Sequence, residues 1–130
     1  MMATLKRTIA LAGMLALTGC VSTSVTNLTP RYQTKNTENV YPVEIEFNSN
    51  LRTIKQDTVR PYVQVGDDNF LMRRTPIVNN RWETLIPVPD GQSVLNYRIK
   101  VDFTYDSLPE PKVNSVLAGP FQLLLNGLPK

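Results

Sequence analysis

Residues 95–105 read LNYRIKVDFTY, an alternation without a break. Leu95, Tyr97, Ile99, Val101, Phe103 and Tyr105 fall on one side; Asn96, Arg98, Lys100, Asp102 and Thr104 fall on the other. A period of two is the mark of a β-strand with one dry and one wet side. Such a strand belongs in an antiparallel sheet whose dry side is covered by a second layer. The fold therefore turns on whether the flanking sequence supplies that layer.

It does so on both sides. Just upstream, RWETLIPV (81–88) keeps Trp82, Thr84, Ile86 and Val88 in step, and Pro89-Asp90-Gly91-Gln92 supplies a turn. Further upstream, TVRPYVQVGDDNFLMRRT (58–75) reads as a hairpin. Val59, Val63 and Val65 share one side, Arg60, Tyr62 and Gln64 the other, and Gly66 to Asn69 form the turn. Phe70 to Thr75 is the return strand, ended by Pro76. In YPVEIEF (41–47), Tyr41, Val43, Ile45 and Phe47 oppose Glu44 and Glu46, with Pro42 pointing to an edge or a late start. Val25 to Leu28 offers a first short strand. Downstream, DSLPEPKVNSVLAGP (106–120) reads as a proline-rich connection with a turn at Gly119-Pro120, and FQLLL (121–125) as the last strand.

A chain of 130 residues is a one-domain length. Ten prolines, six glycines and no long amphipathic helical window favour short elements and many turns. Turn signals recur at the spacing typical of sandwiches. The expected fold is all-β: an immunoglobulin-like antiparallel sandwich of six or seven strands over residues 25–130. No cysteine pair is present to form the antibody-type disulfide, and a transthyretin-like or other small sandwich would share these strand statistics.

The N-terminus follows a different logic. Lys6 and Arg7 precede nine apolar or small residues, Ile9 to Leu17, and then Thr18 and Gly19 lead to Cys20, the only cysteine. Nine residues are too few to span a bilayer as a helix, which takes about 20. The pattern fits a secretory signal peptide, 1–19. Leu17-Thr18-Gly19-Cys20 resembles the lipobox of bacterial lipoproteins. The resemblance implies cleavage between Gly19 and Cys20, diacylglycerol on the Cys20 sulfur, and a third acyl chain on the new amino group. One chain binds a membrane marginally at about 0.8 kcal/mol per buried CH₂, while two or three hold firmly. Val21 in the next position implies delivery to the outer membrane. Residues 20–24 are then a lipidated tether.

Composition narrows the chemistry. Setting aside the leader removes two of the 14 Lys and Arg and none of the 11 Asp and Glu, so the formal balance falls from +3 to +1. Nucleic acid as a partner calls for a clustered basic surface on a basic domain, and the balance does not supply one. The chain has no histidine, so Ser-His-Asp and Cys-His catalysis and His-based zinc sites are excluded. Carboxylate pairs such as Glu44 with Glu46, or Asp102 with Asp106, read as solvated strand faces. Asp67-Asp68-Asn69 offers oxygen ligands, but three consecutive side chains cannot all face one calcium ion. No catalytic residues, metal or cofactor are expected.

The most unusual local composition is MRRTPIVNNRW (72–82). Arg73, Arg74, Arg81 and Trp82 bracket a short loop and form the candidate contact surface, since arginine forks and an aromatic face suit carboxylates, phosphates or sugars. Against this, Trp82 is in step with Ile86 and Val88, as a core ring would be, and edge arginines discourage strand pairing. RWETLIPVPDGQSVLNYRIKVDF also resembles the strand rhythm of starch- and glycogen-associated sandwich modules, without their further tryptophans. The sequence thus predicts a non-enzymatic lipoprotein, held in the outer membrane by Cys20, whose sandwich contacts an envelope protein. The alternative is a module for peptidoglycan or polysaccharide, using Trp82 and tyrosines such as Tyr62.

Overall fold

The computed structural model describes residues 22–127. The expected leader 1–19, its expected cleavage point after Gly19, and the expected lipidation site Cys20 lie outside the described residues. Nine strands form two packed sheets: β1 Thr23–Asn27, β2 Tyr32–Thr34, β3 Val40–Ser49, β4 Arg60–Val65, β5 Asp68–Leu71, β6 Arg73–Arg74, β7 Arg81–Pro87, β8 Val94–Tyr105 and β9 Lys112–Asn126. The smaller sheet has the order β1-β3-β7-β6, and the larger β2-β9-β8-β4-β5. All pairs are antiparallel except β2 with β9. In immunoglobulin lettering the smaller sheet has the order A-B-E-D, and the larger holds a G-F-C core, β9-β8-β4, flanked by β2 and β5.

The alternation that decides the fold does so physically. Leu95, Tyr97, Ile99, Val101 and Phe103 of β8 are buried, as are Tyr41, Val43, Ile45 and Phe47 of β3. Together with Val63, Trp82, Ile86, Leu123 and Leu125 they form one core between the sheets. Each fully buried aliphatic or aromatic side chain contributes about 1.5–3 kcal/mol relative to exposure. A polar tie crosses the sandwich as well: the Asn27 amide donates to the Tyr97 hydroxyl at 2.8 Å. That contact satisfies the one polar atom of a ring that is otherwise packed, including 5.6 Å centroid to centroid against Phe121.

Besides β2, which the sequence did not announce, three elements depart from the sequence-based expectation. The return strand expected at 70–75 is two strands in different sheets. Met72 is buried at the switch, and its N–H donates to the Pro61 carbonyl at 2.9 Å. The proline-rich connection is confined to residues 106–111. The chain from Lys112 onward is already β9, and Gly119-Pro120 is an irregularity within that strand rather than a turn, where register slips by one residue between Tyr97 and Ile99. Gly119 has φ +106°, and a Cβ there would meet the Phe121 backbone nitrogen at 3.1 Å and the Tyr97 carbonyl at 3.3 Å. Only glycine fits that bulge. Finally, β1 begins at Thr23, so residues 23 and 24 of the expected tether are sheet. Ser22 is fixed too, its N–H donating to Asn50 Oδ1 at 2.8 Å.

Candidate functional site

The arginines of the 72–82 segment are drawn apart by strand geometry. Arg73 and Arg74 lie on β6, opposite Glu83 and Trp82 of β7. The Arg74 guanidinium sits 4.4 Å from the centre of the Trp82 ring and donates to the Gln56 carbonyl at 2.9 Å. Arg81 makes an ion pair with Glu44 of β3 at 3.8 Å. Trp82 is only 7% exposed and belongs to the core, with Arg74 covering it. Three of the four residues therefore have partners within the domain. They close an edge of the smaller sheet, and no aromatic face is left there for a sugar to stack on.

The carboxylates are equally dispersed. Glu44 pairs with Arg81, Asp106 with Lys55 at 3.5 Å, and Asp102 with Lys100 at 3.6 Å. Asp102 also accepts a 2.5 Å bond from the Ser115 hydroxyl. The β4–β5 hairpin turn is Gly66-Asp67, with Gly66 at φ +57°, while Asp68 and Asn69 of the expected turn are already strand, paired with Val65 and Gln64. Among the described residues, no three His, Cys, Asp or Glu side chains come together in a way that could hold a metal ion. An open hollow of about 460 Å³ lies at the pole away from Ser22, floored by Phe70, Val88 and Leu95 and rimmed by Glu38, Asp68 and Asp90.

A more continuous surface is the outer side of the larger sheet. Register places Leu117 of β9, Lys100 of β8, Tyr62 of β4 and Leu71 of β5 directly opposite one another, so they form one row across four strands. Leu117 and Leu71, at its two ends, are each 55% exposed. Arg60, Asp102 and Ser115 form the next row, and Gln64 and Arg98 flank the first on its other side. Tyr62 is half-buried between its neighbours and shows water only part of its ring. At the Leu71 end the surface turns a corner: Leu71, Arg73, Thr84 and the exposed Leu85 line a common hollow of about 260 Å³.

Comparison with protein-family models, curated proteins and solved structures finds no match. The site is therefore described by its own chemistry: apolar ends, a tyrosine and a lysine in the middle, and mixed charge beside them. Aromatic residues and arginine are enriched in protein interfaces, and a polar rim around apolar positions is their usual anatomy. The row could not be read from the sequence. Its members lie on four strands, and Leu117 sits in a segment whose prolines and glycine mask its strand character.

Proposed function

We propose that the chain is an outer-membrane-anchored lipoprotein whose sandwich is a non-catalytic protein-interaction module of the cell envelope. The observation that carries the interaction reading is the row Leu117–Lys100–Tyr62–Leu71, apolar at both ends and exposed on the outer side of a rigid sheet. The anchor rests on Leu17-Thr18-Gly19-Cys20, which resembles a lipobox.

The two parts fit together in one respect. Three peptide units separate Cys20 from Thr23, the first residue of β1, and at about 3.3–3.6 Å per residue they reach roughly 10 Å. A lipid on Cys20 would hold the sandwich against the headgroups rather than on a long leash. Its partner would then be a protein at the same membrane surface.

A photo-crosslinking amino acid in place of Tyr62, activated in intact cells, tests the interaction. A reproducible adduct of defined mass, absent when the probe replaces the opposite-pole residue Asp90, is the expected result. No protein adduct from position 62 would overturn the interaction reading. Separately, Cys20→Ala should move the protein out of the membrane fraction with loss of acyl mass; retention at unchanged mass would overturn the anchor.

A further inference from the structure

Among the described residues, nothing closes one edge of the larger sheet. β2 covers β9 only at Leu124 to Asn126, and Arg31 accepts the Leu124 N–H at 2.8 Å. From Lys112 to Ala118, β9 pairs with β8 on one side and, among the described residues, with no strand on the other. The N–H of Ser115 shows which residues face the open side, because it donates to the side chain of its own neighbour, Asn114 Oδ1, at 2.8 Å. Alternation then turns the backbone N–H and C=O of Val113, Ser115 and Leu117 to the open edge. Val113 is 77% exposed and Leu117 55%. Between Lys112 and Gly119 there is no charge and no proline, the two residue classes that normally blunt such an edge.

We infer that this edge pairs with the same edge of a second copy of this chain, antiparallel and centred on Ser115. The stretch is self-complementary about that point. Centring on Ser115 places each Val113 opposite Leu117 of the second copy, and the two Ser115 opposite each other, so both exposed apolar side chains gain apolar neighbours. The three pairs all present outward N–H and C=O groups. Asn114 releases the Ser115 N–H to a carbonyl of the second copy. The pair becomes one continuous sheet of ten strands. The inference does not depend on the lipid anchor, and it is compatible with one. The two-fold axis is perpendicular to the sheet, so both smaller sheets, each beginning at Thr23, lie on the same side of the pair.

Cysteine cross-linking of the full chain tests the register. Cα atoms opposite each other in a hydrogen-bonded antiparallel pair are about 5.5 Å apart, within disulfide range. Ser115→Cys, oxidised with copper-phenanthroline in detergent extracts, should give a reducible band at twice the monomer mass. The parent chain, whose only cysteine is Cys20, sets the background. Val113→Cys alone should give no more than background, and a mixture of Val113→Cys and Leu117→Cys chains should give the doubled band. A Ser115→Cys yield no higher than that of Asn96→Cys, which lies on the same side of the sheet away from this edge, would overturn the inference. So would equal yields from Val113→Cys alone and the mixture, or a Ser115→Cys adduct to a protein of different mass.

Discussion

The two ends of the larger sheet solve the same physical problem in opposite ways. At the β5 end the strand is four residues long, and the chain then leaves for the other sheet through buried Met72. Arg73 and Arg74 follow at once, so an incoming strand would meet a short ladder, a change of direction and two guanidinium groups. At the β9 end the strand is fifteen residues long, and its first seven carry an exposed valine and leucine with no charge after Lys112. An edge protected by a kink and by cations needs no partner; a long uncharged edge, with one outward amide capped only by a neighbouring asparagine, is open to one.

The contrast breaks first at Met72. Its side chain is 2% exposed and holds the point where the chain crosses between sheets. Met72→Ala should cost about 2–5 kcal/mol, read from the midpoint of urea denaturation. A loss below about 1 kcal/mol would mean that the crossing is fixed by its backbone bond to Pro61 alone, and the protected edge would owe little to the core.

Gly119 sharpens the other end. The bulge it makes separates the open part of β9 from the part that β2 covers, and it flips which residues face the edge. Ser115 points its N–H outward before it, and Leu124 does so after it. Gly119→Ala would force a Cβ to within 3.1 Å of the Phe121 backbone at a positive φ. The expected loss is about 1–3 kcal/mol by denaturation. Ala at Gly127, where nothing lies within 4 Å of the added Cβ, serves as the control and should be close to neutral.

Arg74 gives a smaller effect with a specific signal. It is placed over Trp82, the only tryptophan, so fluorescence reports on this one contact. Arg74→Ala should cost about 0.5–1 kcal/mol and raise the accessibility of the ring to acrylamide. Unchanged quenching would show that the neighbouring strands, rather than the guanidinium, cover the ring.

These positions also show how far the sequence could be read. Strands β3 and β8 were legible because each has one buried and one wet face, so composition alternates with the backbone. Trp82 was legible as a core ring for the same reason. Strand β2 was not: Tyr32-Gln33-Thr34 has no alternation, and its three residues are strand only because Leu124 to Asn126 lie beside them. The first half of β9 was hidden because both of its faces are largely exposed, leaving nothing to alternate, while Pro109, Pro111 and Pro120 bracket it. The sheet switch was hidden because Leu71-Met72-Arg73 carries no turn residue. The arginine cluster was visible as composition, but its partners, Glu44 on β3 and Gln56 in a short 3-10 turn, are distant in sequence and meet it only in the folded chain.

The smallest expected effect bears on the open edge itself. Asn114 is exposed, and its side-chain oxygen accepts from the adjacent Ser115 N–H. Removing it exposes that amide to water, which can satisfy it, so Asn114→Ala should change stability by no more than about 0.5 kcal/mol. Its consequence should appear elsewhere. With the amide no longer held by its own neighbour, the carbonyl of a second strand has less to displace, and the Ser115→Cys cross-link should form at lower protein concentration in the Asn114→Ala background. If that concentration is unchanged, Asn114 does not guard the edge, and the difference between the two ends of the sheet comes from strand length and charge alone.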